Sequence, residues 1–192
     1  MIPRSSGSSL VRTFVFSLVL FAGSWLLGYW VFQLEGRGGT SDTAVQQLIE
    51  VLAPLGALNA PQIMLLIFVN NAFKALVVVV LGYTLGLVPF LFLVVNGLLI
   101  GLVVGDVAST AGPDMAIRAL APHGILEVPA LLLASALGFR VALAVWRRLL
   151  GREGHPGLDL RNGLAVYAKV VLPALFVASV VESFVTPLLI QR

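Results

Sequence analysis

Residues 62–104 read QIMLLIFVNNAFKALVVVVLGYTLGLVPFLFLVVNGLLIGLVV. Extended to the nearest carboxylate on either side, Glu50 and Asp106, the stretch holds 55 residues and one charged side chain, Lys74. A bilayer's hydrocarbon core of about 30 Å takes about 20 helical residues to cross, so the stretch is far too long for one crossing. It divides into two spans, roughly Gln62 to Leu81 and Leu87 to Val104. Gly82-Tyr83-Thr84-Leu85-Gly86 forms the hinge, and Pro89 stands in the first turn of the second helix, where a missing N–H costs little.

The same rule works outward in both directions. Thr13 to Leu34 is an uncharged run of 22 residues between Arg12 and Glu35. It is too long for the apolar part of a signal peptide, and no A-x-A pattern follows it. From Glu35 to Pro61 the chain turns polar, then amphipathic, with Val45, Leu48, Ile49, Leu52 and Leu55 at helical spacing. This predicts a short helix lying at the membrane interface, capped by Thr40, Ser41 or Asp42. Beyond Asp106, Gly112-Pro113-Asp114 reads as a turn and Met115 to Ala121 as a short helix. Two further spans follow, about Gly124 to Trp146 and Leu164 to Ile190, separated by a basic loop. The expectation is an all-α, polytopic transmembrane bundle of about five spans. It is organised as residues 1–34 (tail and first span), 35–61 (outer loop with interfacial helix) and 62–192 (four-helix membrane core).

Composition agrees. Of 192 residues, 59% are hydrophobic and 11% charged, and the mean hydropathy is +1.02. A soluble domain carries roughly 25% charged residues, so a soluble enzyme, a nucleic-acid reader and a secreted scaffold are all excluded. The chain has no Cys, which removes disulfides, thiolate metal sites and cysteine nucleophiles. Basic residues in a membrane protein report orientation. With the N-terminus inside, Arg4, Arg12, Arg147, Arg148, Arg152 and Arg161 fall on the cytoplasmic side, against Arg37, Arg118 and Arg192 outside. That favours N-in, C-out.

Ionisable groups within spans cost about 2.5–3.5 kcal/mol each at the centre on insertion scales, so their depths carry the functional signal. Lys74, Arg140 and Lys169 lie toward the inner side and are read as anchors snorkelling to the headgroups. The polar residues of the outer half are harder to explain: His123 and Glu127, one turn apart on one helix face, Glu182 in the fifth span, and Asn70, Asn71 and Asn96. Glu127 shares its face with Ala130, Ala134 and Gly138, a strip of small residues that lets a helix approach closely. Gly97, Gly101 and Gly105 offer a matching strip on the third span. That strip serves either packing within the chain, which brings Glu127 near Asn96, or a homo-oligomer.

One His and two Glu are a sufficient donor set for a divalent metal such as zinc with an open position. His123, Glu127 and Glu182 therefore form a candidate metal or proton site. The competing reading has both carboxylates neutral or bonded to Asn70, Asn71 and Asn96, with His123 serving the helix start. No H-E-x-x-H, G-x-S-x-G, P-loop or dinucleotide fingerprint occurs.

Four ordered motifs carry a resemblance. Pro122-His123-Gly124-Ile125-Leu126-Glu127-Val128-Pro129-Ala130 resembles the P-H-G-x-x-E-x-P-A signature of the stage II sporulation protein M family. Asn70-Asn71-Ala72 with Lys74, Asn96-Gly97 with Gly101, and Glu182-Ser183-Phe184-Val185-Thr186-Pro187 are similar to its other motifs in the expected order. The resemblance implies about five helices. It also implies envelope remodelling beside peptidoglycan-degrading partners in sporulating bacteria, although the family extends to organisms that do not sporulate. It assigns no role to the motif residues. The expected function is a non-enzymatic subunit that recruits envelope proteins, or a solute or ion pathway. The alternative is an intramembrane metal-dependent hydrolase using His123, Glu127 and Glu182.

Overall fold

The computed structural model describes residues 6–36, 39–52 and 58–185, with backbone alone for residues 6–8, 51–52 and 119–123. All regular structure among them is helical: α1 (Ser6–Glu35), α2 (Thr40–Leu52), α3 (Ala60–Val80), α4 (Leu87–Ala111), α5 (Pro113–Leu149), α6 (Pro156–Val166) and α7 (Leu172–Phe184). Five stretches are long and apolar enough to cross a membrane: Ser9–Glu35, Ala60–Tyr83, Leu87–Ala111, Gly124–Leu149 and Pro156–Phe184.

Local chemistry sets the helix ends. Asn59 caps α3 in a reciprocal box, its Oδ1 accepting from the Gln62 N–H and the Gln62 Oε1 accepting from its own N–H, both at 3.0 Å. The predicted hinge between α3 and α4 is present. A 3₁₀ turn over Leu81–Tyr83 leads to Leu85 and Gly86, at φ 58° and 90°, a left-handed pair that only glycine adopts without cost. The Thr84 hydroxyl donates to the Leu81 carbonyl (2.6 Å) and accepts from the Val88 N–H (3.1 Å), closing the turn. α2, with 13 residues, is too short to cross; it buries Ser41 and Val45 and packs on α1 and α4.

Two boundaries differ from the sequence reading. Met115 to Ala121 is not a separate helix: α5 runs unbroken for 37 residues from Pro113, about 55 Å, so one end continues well beyond its span. The helix continues through Pro122 and Pro129, each of which removes one N–H from its backbone ladder. The last span starts at Pro156, eight residues before the expected Leu164. It passes through a π turn at Tyr167–Val171 just before Pro173, whose missing N–H disrupts regular bonding there. The expected end of that span, residues 186–190, lies outside the described residues.

α5 is the axis. Some 61% of its span is buried in the protein, against 17–22% for the other four. One face packs Ala130, Ala134 and Leu137 against Ala75 and Val79 of α3 and Val171 and Leu175 of the last span. The opposite face packs Leu132 and Phe139 against Leu93 of α4 and Phe14, Leu20 and Phe21 of α1. The Gly97, Gly101, Gly105 strip does not meet α5. It runs in parallel register with Ser24, Gly28 and Phe32 of α1, so closely that a Cβ on Gly101 would strike the Trp25 carbonyl. The strip is thus used within the chain.

Candidate functional site

Glycine contacts give a depth scale. A Cβ on Gly138 would meet the Val78 carbonyl and the Pro89 ring, so these three residues of α5, α3 and α4 share one level. Seven residues toward the Glu127 end from each lie Leu131, Asn71 and Asn96, about 10 Å away along the axes. The Tyr167 hydroxyl donates to the Ala72 carbonyl at 2.9 Å, tying the fifth span to the same layer. Asn70, Asn71 and Asn96 therefore lie near the middle of the bundle, with Glu127 one turn beyond.

Within that layer they divide. Glu127 is buried, 4% exposed, and lines a small enclosed cavity with Asn96, whose other walls are Phe21, Phe92, Leu93, Ile100, Val128, Leu131 and Leu132. Its volume of about 20 Å³ accommodates one water. Asn96 donates its side-chain amide to the Phe92 carbonyl one turn back, at 2.7 Å. Asn70 and Asn71 take no part in this cavity. Asn70 is exposed on α3 and donates to the Asn71 Oδ1 at 3.3 Å.

Phe68 and Phe176 meet edge to face, ring centroids 5.4 Å apart, which sets Phe176 level with Val128 on the scale above. Glu182, six residues further, then stands level with residues 122–123 and about 7 Å beyond Glu127. It is half-buried, with its Oε2 enclosed. His123 is helical in backbone; its side chain lies outside the described residues. Among the described residues no three His, Asp or Glu side chains come together as a metal set.

The cations also need redrawing. Arg140 does not snorkel: its Nη2 donates to the Asp159 Oδ1 at 2.8 Å, with both side chains partly buried. The two residues lie nearly equidistant from the turn at Leu149–Leu150, so reflecting the α5–α6 hairpin about that turn pairs them. Asp159 falls between the basic loop and the expected start of the last span at Leu164, eight residues beyond its actual start at Pro156. For the same reason Lys169 is deeper than expected, 13 residues or about 20 Å from the helix start at Pro156, and exposed. Lys74 is exposed nine residues before Tyr83, where its span ends. Asp106 is another residue the sequence reading passed over. It is 8% exposed near the end of α4, and the signal for it was a lone carboxylate closing an apolar run.

Beside the Glu127 cavity, α1, α4 and the first half of α5 enclose a larger apolar cleft of about 640 Å³. Phe21, Ile100 and Val128 line both spaces.

Residues 17–187 match the family described as Stage II sporulation protein M. An uncharacterized protein of Methanocaldococcus jannaschii is 26% identical over 177 residues, covering 90% of this chain and 93% of that one. No solved structure matches the chain. With nearly the whole chain matched and four other spans packed around the helix that carries the signature, this protein belongs to the stage II sporulation protein M family of integral membrane proteins.

Proposed function

We propose that the protein is a non-catalytic membrane subunit that recruits partner proteins during envelope remodelling, with its N-terminus in the cytoplasm and its C-terminus outside. The observation that supports this reading is the placement of Lys74, Lys169 and Asn70 on outward faces near mid-span. Lipid tails offer them no hydrogen bonds, and from such depth a lysine's four-carbon stem falls short of the headgroups. A partner helix that supplies polar groups at the same depth satisfies them. A photo-crosslinker placed at the exposed Phe73 or Val170 in native membranes is expected to capture a defined envelope protein, and Lys74→Ala with Lys169→Ala to reduce capture several-fold. Adducts to lipid alone would count against recruitment. A solute or ion pathway through the polar centre is the competing form of this reading. Proteoliposome flux that collapses in Glu127→Ala at equal folding would favour it.

The metal-dependent hydrolase draws on one observation, the depth of Glu182 beside residues 122–123 and one to two turns from Glu127. His123, Glu127 and Glu182 would hold the ion, and a zinc ion so bound activates water. Elemental analysis of the purified protein beside Glu127→Gln and Glu182→Gln decides it: stoichiometric metal lost in both variants supports the hydrolase, and no metal in the parent removes it.

A further inference from the structure

We propose that the partner on the α3 face is a transmembrane helix that carries a carboxylate within its own span, and that this carboxylate pairs with Lys74. The proposal rests on the recruitment reading above and names the chemistry of the partner. Ile63, Leu66, Asn70, Phe73 and Val77 follow one another on α3 at alternating steps of three and four residues, the spacing that makes one seam along a helix. Lys74 flanks that seam one turn from Asn70. Leu66, Asn70, Phe73 and Lys74 are exposed and Ile63 and Val77 partly so, because α3 turns a different side, that of Ala75 and Val79, to the rest of the bundle.

Charge and depth select the occupant. Lys74 stands nine residues from Tyr83, where its span ends, about 14 Å along the axis. Its Cα–Cβ bond tilts toward the helix N-terminus, away from that nearer surface and toward the turn of Asn70. Asn70 donates one amide N–H to the Asn71 Oδ1, which leaves its second N–H for an acceptor at the same depth. Among the described residues no carboxylate pairs with Lys74. An ammonium with an amide N–H beside it calls for an anionic acceptor. Lipid phosphate stays at the headgroup level, beyond the reach of this lysine. A helix, by contrast, holds a carboxylate at any depth, because its backbone is bonded internally. A second copy of this chain does not supply one. Its exposed carboxylates, Glu35, Glu50, Asp114 and Glu153, stand at helix ends or in a loop, Glu127 is buried, and Glu182 lies two residues before the described end of its span. A single polar Asn in such a seam fixes the register of two helices, here the register that sets the partner's carboxylate against Lys74.

The test reconstitutes the full chain, fluorescently labelled, into phosphatidylcholine vesicles. The probe is a synthetic leucine–alanine transmembrane helix of about 20 residues with one Glu at its centre, and the reference is the same helix with Leu there. Energy transfer is expected to report several-fold tighter association of the Glu helix. Lys74→Met should abolish that preference and Lys74→Arg keep it, while Lys74→Glu should shift it to a helix with a central Lys. Asn70→Leu, which leaves the charge in place, should weaken the Glu helix by a smaller factor. Equal association of the two helices with the parent, or a preference that survives Lys74→Met, overturns the proposal. In native membranes a photo-crosslinker at the exposed Leu66 is expected to capture a protein with an Asp or Glu in a span, and Lys74→Met to cut that capture several-fold. Capture of a second copy of this chain overturns the proposal. So does a captured protein whose spans hold no carboxylate, an outcome that leaves recruitment standing. Lipid adducts alone, at Leu66 and at Val170, overturn both.

Discussion

The two ends of α5 are built on opposite plans. Between Ala130 and Ala144 the helix is buried on nearly every side, while its last turn, Trp146 to Leu149, is exposed. Gly138 lies against the Val78 carbonyl and Pro89, Ala134, Ala136 and Val141 are fully buried, Arg140 pairs with Asp159, and the Trp146 indole donates to the Leu85 carbonyl at 3.2 Å. Toward Pro113, Ile117 and Ile125 are 65% and 70% exposed, a Cβ on Gly124 would meet nothing within 4 Å, and the helix borders both the Glu127 cavity and the cleft. One helix thus carries a stability end and an open end. Small residues close the first. The family signature, Pro122 to Ala130, begins on the open end and runs into the packed core at Ala130.

The sharpest way to break this contrast is to substitute both glycines. Gly138→Leu is expected to destabilise by about 3 kcal/mol or more, since its side chain meets backbone and a proline ring that cannot move aside. Gly124→Leu is expected to stay within about 0.5 kcal/mol of the parent. Thermal unfolding in one detergent compares them directly, and equal losses would erase the distinction between the ends.

Arg140→Ala should cost about 1–3 kcal/mol, because it leaves the partly buried Asp159 without its cation. A double-mutant cycle with Asp159→Asn measures the coupling, and a value near zero would mean that glycine packing alone closes this end. Glu127→Gln, an exchange of nearly equal shape, is expected to change stability by about 1 kcal/mol or less. A large loss in melting temperature would show instead that the open end also depends on this residue for folding. The smallest effect is expected for Tyr167→Phe, about 0.6 kcal/mol, typical of a hydrogen bond between helices in a membrane. Hydrogen exchange at Ala72 and its neighbours would report whether that bond pins the π turn.

Much of this architecture was legible in the chain. The spans, the hinge at residues 82–86 and the short helix α2 follow from run length, turn residues and helical spacing, whereas Glu127 lies near Asn96 without the glycine strip that was expected to bring them together, since that strip packs on α1. The continuity of α5 through Pro122 was hidden because proline normally ends a helix. The start of the last span at Pro156 was hidden by Asp159 and Arg161, which look like loop residues until Arg140 is placed opposite. That one shift also moved Lys169 from an anchor near the headgroups to a polar group near mid-span.

The sequence by itself determined that this is a five-span helical membrane protein with a few unexplained polar groups. Lipid leaves a spanning backbone no choice but to bond within its own helix, and the length of an apolar run is a local property. Tertiary structure alone decided that α5 is the axis, that the glycine strip of α4 binds α1, that Asn96 rather than Asn70 shares a cavity with Glu127, and that a cleft remains beside them. Inside a bilayer every apolar face competes on nearly equal terms. The choice of neighbour then rests on shape and on a few paired polar groups, and these exist only once the helices are together.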